Sequence, residues 1–375
     1  NVFPMTCTTS DGNGGTATDT FSITLTEIND ASVLSASTGS TLEDAAMDIT
    51  ITATDEESND ATFAEGTTCP SWVTVVDDGA NAMTGGLTAI AGAITDARVG
   101  DHDCDITISD GTTTSLYTFT ITITNINDPP TLTVTADGSG TFAEDGSAED
   151  LYSSVTAADN DATVTNLYTE LKLTVTNVAD TTEYLNVNSG ACDLTDGNSE
   201  TTTLGGSDLT CAVAVSGGNV ATVTLTHAGL TDAQVETLLD AITYENTDQS
   251  PTAGDRVITI TDVTDNGGTT DSGTANVAPS GTVATITVAA ANDTPTCDAG
   301  PAQPSITEGD VVTLTAAGSA SLDAETVSYV WSVSSGTAQT LSSTTVVGPT
   351  FTAADKIAGY TTTFSMTCTA GGEAG

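Results

Sequence analysis

The chain has 375 residues, with four Lys and Arg against 51 Asp and Glu, which gives a formal net charge of −47. Such a balance excludes nucleic acid as a partner, because phosphate binding needs clustered basic groups, and it argues against anionic membranes. The window shows neither a membrane-spanning run nor a signal peptide. Charged residues make up only 15% of the chain and regular alternation recurs, so we expect folded domains rather than a disordered tail. Because the carboxylates repel one another, we also expect bound cations or high ambient salt.

One strand ending occurs three times, at residues 21–30, 119–128 and 284–293. In each copy apolar residues alternate with Thr, Ser or Ala, which predicts a strand with one buried and one solvated face. Each copy then runs into an Asn-Asp pair and a turn. The repetition predicts an all-β chain of tandem Ig-like β-sandwich domains in an extended array, with one short helix.

In chain order, four segments follow from these boundaries. Residues 1–30 are predicted to be the C-terminal strands of a truncated β-sandwich, and residues 31–128 a complete sandwich. Residues 129–293 form a longer repeat that begins at a Pro-Pro pair, and residues 294–375 form a sandwich that is incomplete at its C-terminus. The chain opens in mid-strand pattern, so we expect it to be a piece of a longer protein.

Single elements can be predicted inside these segments. Residues 72–76 read as a buried strand, residues 109–111 as a hairpin turn, and residues 329–333 as the central strand of the last sandwich. Residues 231–242 predict a helix, with a capping box between Thr231 and Gln234 and one apolar stripe. We expect the stripe to pack against the sandwich edge; a helix that binds a partner is the alternative.

Seven cysteines indicate an oxidising compartment. Three pairs lie within single segments, although spacing alone does not establish any pairing: Cys69 with Cys104, Cys192 with Cys211, and Cys297 with Cys368. The remaining Cys7 lies in residues 3–8, which nearly repeat residues 364–369. Cys7 is then the equivalent of Cys368, and its partner is expected upstream, as if the chain were one period of a longer polymer. Chance similarity of two strands is the alternative.

Several motifs resemble known families. Segments 72–76, 84–86, 106–111 and 125–128 give residues 31–128 a resemblance to the cadherin-like domains of the dystroglycan type. Segments 242–246, 251–260 and 291–295 make residues 129–293 similar to the long cadherin-like repeat of giant bacterial adhesins. Segments 298–301, 308–310, 329–331 and 349–352 make the last domain resemble a polycystic-kidney-disease-type (PKD) domain.

The cadherin resemblance implies Ca²⁺ at the domain junctions, held by oxygen ligands from several segments. The implied ligands of the first junction are Glu27, Asn29, Asp30, Asp55 and Glu57. Those of the second are Glu43, Asn125, Asn127, Asp128, Asp159 and Asp161. Those of the third are Glu144, Asn292, Asp293, Asp323 and Glu325. The third linker has Ala290 where the others have Glu27 and Asn125, so it lacks one ligand. The acidic pair typical of mid-domain positions in cadherins has no clear match. The alternative is that Asn-Asp caps a turn and the acids are solvated surface.

Catalytic chemistry is not expected, and no catalytic residue is assigned. The only histidines, His102 and His227, lie far apart in sequence, and the turn containing Asp101 and Asp103 is read as surface rather than as a metal site. We therefore predict a non-enzymatic structural segment, a stalk or filament shaft rigidified by interdomain Ca²⁺ and disulfides. We expect this segment to be extracellular, on the cell surface or in a secreted appendage. Its expected partners are further repeats of the same polypeptide and copies of itself. The alternative is an adhesive module that recognises glycan or protein, but neither an exposed aromatic platform nor a basic patch is evident.

Overall fold

The computed structural model describes residues 2–57, 60–90, 92–137, 139–159, 161, 167–269, 275–279, 282–355, 358–371 and 373–374. The chain is all-β, and its described residues contain one α-helix. It divides into two compact units. The first unit comprises residues up to Asp128, together with Asp161 and residues 267–269; the second comprises residues 129–159, 167–266 and the chain from residue 275 onward.

The first unit begins with a hairpin. Strands β1 (Val2–Ser10) and β2 (Thr16–Thr24) are antiparallel and pair along their whole length. The sequence predicts one buried face for β2, but every residue of both strands is exposed. This prediction is wrong for the hairpin, because no second sheet of the described residues covers its apolar face.

The rest of the first unit is a sandwich of two four-stranded sheets. Its strands are β3 (Val33–Leu34), β4 (Thr38–Leu42), β5 (Met47–Thr54), β6 (Thr62–Glu65), β7 (Thr74–Asp77), β8 (Thr84–Ala89), β9 (Gly100–Ser109) and β10 (Thr114–Thr124). One sheet has the order β4-β10-β9-β6, with β4 parallel to β10, and the other has the order β3-β5-β8-β7. Leu87, Ile106 and Ile121 are fully buried between them. A short 3-10 helix, η1 (Asp96–Arg98), precedes β9.

Strand β10 shows the predicted alternation, because Phe119, Ile121 and Ile123 are buried and their neighbours are not. The buried strand predicted at residues 72–76 is wrong in two respects. Val75 of β7 is only half-buried and the other residues of β7 are exposed, and the strand begins later than predicted. The N–H of Val73 donates to the carbonyl of Pro70, so the chain turns there and β7 begins only at Thr74.

The second unit contains the long repeat, whose described residues between 131 and 289 form 14 strands. These are β11 (Thr131–Ala136), β12 (Ser139–Ala143), β13 (Glu149–Asp150), β14 (Tyr152–Ala158), β15 (Tyr168–Val175), β16 (Glu183–Val187), β17 (Gly190–Asp193), β18 (Ser199–Leu204), β19 (Ser207–Ser216), β20 (Val220–Leu230), β21 (Thr243–Asn246), β22 (Gly254–Asp265), β23 (Asn276–Val277) and β24 (Val283–Ala289). An eight-stranded sheet follows the order β12-β24-β22-β15-β20-β19-β18, with β23 added to β22. A four-stranded sheet, β13-β21-β16-β17, encloses the core with it.

Helix α1 (Asp232–Asp240) forms where the sequence predicts it. The predicted capping box is present, since the Gln234 N–H donates to Thr231 Oγ1 and the Thr231 N–H donates to Gln234 Oε1. The helix ends two residues before the predicted boundary, because Ala241 leaves helical geometry at φ −106° and ψ 2°. Val235, Leu238 and Leu239 are buried, and the helix packs against β14.

The second unit also contains the last small sandwich, built from β25 (Val311–Thr313), β26 (Ser328–Gly336), β27 (Thr350–Thr352), β28 (Thr362–Ala370) and β29 (Glu373–Ala374). Trp331 of β26 is buried in its core. The prediction that this strand is central is wrong within the described residues, where β26 pairs only with β28.

Three disulfides join the cysteine pairs expected from the sequence, and Cys7 is free and exposed. Among the described residues, the search for a helix long and apolar enough to cross a membrane finds none.

Candidate metal centres

A buried carboxylate lies at the C-terminal end of the first unit. Glu43 follows β4, which runs parallel to β10, so its backbone N–H donates to the carbonyl of Thr124 at 3.1 Å. Its carboxylate oxygen Oε1 accepts from the Ile126 N–H at 2.5 Å. Glu43 is only 1% exposed, and its other oxygen, Oε2, is buried without a hydrogen-bond partner.

The surroundings of Glu43 are acidic. Burial and the neighbouring Asp96 carboxyl raise the pKa of Glu43 to about 7, while the hydrogen bond from the Ile126 N–H opposes the shift. The pKa of Asp128 is also raised, first by burial and then by the charges of Asp96, Asp44 and Asp161. These groups disfavour one another's ionised form, so a cation among them would relieve the repulsion.

Asp161 completes this group, which we call the Glu43 cluster (Glu43, Asp96, Asp128 and Asp161). The Asp128 N–H donates to Asp161 Oδ1 at 2.9 Å, while Asp161 Oδ2 is buried without a hydrogen-bond partner. The predicted ligands Asn125 and Asn127 direct their amide N–H groups to the adjacent carbonyls of Ile126 and Asp128. Asp159 is buried in the second unit.

A second buried group, the Glu144 cluster (Glu144, Asp293 and Asp323), lies in the second unit. One ligand oxygen of each residue lies within 4.8 Å of the others. Glu144 Oε2 accepts from the Ala291 N–H at 2.7 Å, and Oε1 is buried without a hydrogen-bond partner. Burial and then the charges of Asp293 and Asp323 raise the pKa of Glu144. The Asp293 N–H donates to Asp323 Oδ2 at 2.6 Å.

Two further ligands predicted for the third junction, Asn292 and Glu325, lie beside Gly371. Both are exposed, and a Cβ added at Gly371 would collide with both side chains. Ala290 supplies no side-chain ligand, as expected. The Glu144 cluster nevertheless brings three carboxylates together without it.

The first junction is more open. Here the Asp30 cluster (Asp30, Glu56 and Glu57) has ligand oxygens within 4.8 Å of one another, and all three residues are exposed. The Asp30 N–H donates to Glu57 Oε2 at 3.2 Å. Asp55 accepts from Ser32 Oγ and from the Glu57 N–H, which holds the segment in place.

Two further predicted ligands of the first junction are Asn29 and Glu27. The Asn29 amide donates to Asp110 and Thr113, so it ties the linker to the turn after β9. Glu27 is exposed and is not a member of the Asp30 cluster.

One hydrogen bond recurs at all three places. The N–H of the linker aspartate, Asp30, Asp128 or Asp293, donates to a carboxylate about 30 residues later in the chain. At the last two places a buried glutamate also accepts from the N–H two residues before that aspartate. The recurrence shows that carboxylates hold the linker backbone in a repeated geometry. At the last two places, other carboxylate oxygens are buried without a hydrogen-bond partner.

Sequence reasoning missed Asp96 and Glu56. A signal for Asp96 exists, because residues 95–99 (Thr-Asp-Ala-Arg-Val) nearly repeat residues 231–235 (Thr-Asp-Ala-Gln-Val). Both segments form a turn of helix, and in the first η1 carries Asp96 to Glu43. Glu56 carried no signal that distinguishes it from other surface acids.

The two buried clusters fit a hard cation. Ca²⁺ takes six to eight oxygen ligands from carboxylates, carbonyls and water. Each cluster brings at least three carboxylates together, and two of them in each cluster have a buried oxygen without a hydrogen-bond partner. Nitrogen or sulfur ligands are not part of either cluster, which disfavours zinc and copper.

A scan of family models and a search of curated proteins find no match to the chain. A search of solved structures finds human protocadherin-24 EC1-2, with a TM-score of 0.37 and 13% identity over 70% of this chain and 100% of that one. Drosophila N-cadherin EC1-4 has a TM-score of 0.29 and 14% identity, over 86% of this chain and 66% of that one. Titin domains I67-I69 have a TM-score of 0.26 and 8% identity, over 93% of this chain and 96% of that one. The strands and sheets of the chain itself make it an all-β array of sandwich domains.

Proposed function

We propose that the chain is a structural segment of an extracellular adhesion or surface protein, and that Ca²⁺ bound at its linkers makes it rigid. The disulfides agree with an oxidising, extracellular location. The fold supplies several β-sandwiches in one chain, and each acidic cluster contains the aspartate that ends one copy of the repeated strand motif.

The observation that carries the proposal is the recurrent linker geometry. The linker aspartate at each place donates its N–H to a carboxylate from a later segment. In the Glu43 and Glu144 clusters, buried oxygens remain beside that bond without a hydrogen-bond partner. A buried carboxylate without compensation is costly, so these oxygens favour a bound cation. Ca²⁺ would supply positive charge; the chain's residues would hold it and fix the linker backbone.

The test is thermal unfolding and amide hydrogen exchange of the chain, in millimolar Ca²⁺ and then in EDTA. We expect a higher Tm with Ca²⁺, because a ligand bound only to the folded state stabilises it by about 4 kcal/mol at a thousandfold excess over its Kd. We also expect slower exchange of the Asp128 and Asp293 amides. No change in either quantity would contradict the proposal.

Two controls separate a site from general charge screening. Mg²⁺ at the same concentration should stabilise less, since it demands strict octahedral geometry and loses water reluctantly. The double variant Glu43→Gln with Glu144→Gln should lose most of the Ca²⁺ effect. The matched variant Glu65→Gln with Glu200→Gln, at exposed positions, should keep it.

A further inference from the structure

The hairpin β1 and β2 carries an apolar face that the cation sites do not explain. Phe3, Met5, Phe21 and Ile23 are 47%, 46%, 56% and 44% exposed. Phe3 is opposite Ile23 and Met5 is opposite Phe21, so all four side chains lie on one face. A contiguous exposed apolar face of this kind marks an interaction surface.

The same strand sequence occurs a second time, where the structure shows what covers it. Residues 3–8 and 364–369 are identical at five of six positions. In β28, Phe364 and Met366 pack against a core that includes Trp331. Cys368, the equivalent of Cys7, is fully buried and bonded to Cys297. The surface that fits the face of β1 is therefore the one that β28 already occupies.

We propose that the hairpin of one copy docks into the last sandwich of a second copy, in place of β28, so that copies join head to tail. Phe3 and Met5 take the places of Phe364 and Met366. The hairpin also brings β2, which pairs with β1 over nine residues. By contrast, the described part of β29 pairs with β28 only at Thr369 and Ala370.

A thiol–disulfide exchange fixes this joint. Cys7 is a free, exposed thiol, and Cys297 is exposed although its partner Cys368 is buried. The Cys7 thiolate attacks Sγ of Cys297, the bond from Cys297 to Cys368 breaks, and Cys368 leaves as a thiolate that takes up a proton. One disulfide is lost and one is formed, so no oxidant is required.

This contact joins two different surfaces, so it continues into a chain or closes into a ring. It goes beyond the proposed function and needs no cation. The net charge of −47 on each copy opposes association. The joint should therefore form best at about 1 M salt, where the Debye length falls to about 3 Å.

The test uses the 375-residue chain at mildly alkaline pH, without oxygen, in EDTA and molar NaCl. Non-reducing electrophoresis should show a ladder of oligomers, and peptide mass spectrometry should show Cys7 joined to Cys297 with Cys368 open to alkylation. Cys7→Ser should abolish the covalent ladder. Because EDTA is present throughout, the result is independent of the Ca²⁺ proposal.

Two double variants separate docking from random exchange. Phe21→Thr with Ile23→Thr keeps the thiol but removes half of the apolar face, and should slow the ladder at least about tenfold. Thr20→Ala with Ser22→Ala changes the opposite face and should leave the rate unchanged. Cys7 joined to all cysteines alike, at one rate in both variants, would overturn the proposal. So would a monomer in which Cys7 stays free, whether its hairpin is solvated or covered within the same chain.

Discussion

Replacing Glu43 by glutamine should change the stability of the first unit in opposite directions with and without Ca²⁺. In the absence of a cation, burial and Asp96 raise the pKa of Glu43 from 4.5 to about 7. Each pKa unit corresponds to about 1.4 kcal/mol, so ionising this carboxyl costs the folded state roughly 3 kcal/mol at pH 8. Glutamine keeps the acceptor for the Ile126 N–H and removes the charge.

The sign follows from the raised pKa. Below pH 4.5 the carboxyl is protonated in both the folded and the unfolded state, and its contribution is fully retained. Between that pH and about 7 the unfolded state releases the proton first, so the free energy of unfolding falls as the pH rises. Glu43→Gln removes this fall and is expected to stabilise the unit by about 2–3 kcal/mol at pH 8 in EDTA. In Ca²⁺ the variant loses a charged ligand and should gain less from the ion.

The assay is hydrogen exchange of peptides from β9 and β10, measured at pH 5 and pH 8 with correction for the intrinsic exchange rate. These strands belong to the core of the first unit, so their slowest amides report its unfolding free energy. Glu65→Gln, at an exposed position of β6, is the control. The reasoning is refuted if Glu43→Gln destabilises the unit at pH 8 in EDTA, or has the same effect at both pH values.

Three further changes test other parts of the structure. Arg256→Met should destabilise the second unit by about 3–5 kcal/mol, because Arg256 donates two hydrogen bonds to the fully buried Glu183, at 2.8 and 2.9 Å; chemical denaturation measures the loss. Thr231→Ala removes the N-cap of α1 and should cost about 1 kcal/mol, visible as faster amide exchange in the helix. Ca²⁺ should change the fluorescence of Trp72, since η1 carries both Asp96 and the guanidinium that lies 5.1 Å from the Trp72 ring.

Each of these three predictions has a control variant. Lys172→Met breaks a partly exposed ion pair and should cost under about 1 kcal/mol. If it destabilises the second unit as much as Arg256→Met does, burial of the Arg256–Glu183 pair is not the reason for the loss. Thr237→Ala lies inside the helix and should spare its first turn. If Asp96→Asn leaves the fluorescence response intact, η1 does not couple the ion to the indole.

Local rules account for what the sequence predicted well. The alternating residues 119–124 form a strand in which Phe119 and Ile121 are buried. Because successive side chains point to opposite faces of a strand, only one register places these apolar side chains in the core. The capping box of α1 formed because its bonds join residues three apart. The three cysteine pairs each lie within one segment of the array, which limited the choices.

The candidate sites were harder to predict, because their geometry depends on segments far apart in sequence. With 51 acidic residues, sequence alone does not show which carboxylates are buried together. Glu43 meets the linker only because β4 runs parallel to β10, and Asp96 arrives on a three-residue helix. Asn29 is predicted as a ligand from the linker motif, which does not show that its amide N–H also donates to the turn after β9.

The central claim is tested most directly by isothermal titration calorimetry of Ca²⁺ into the EDTA-treated, dialysed chain and its site variants. We predict saturable binding. Glu43→Gln and Glu144→Gln should each remove or weaken one class of site, and the double variant should lose both classes. The exposed control Glu65→Gln should bind as the unaltered chain does. Binding that is absent, or that stays the same in the double variant, would contradict the account.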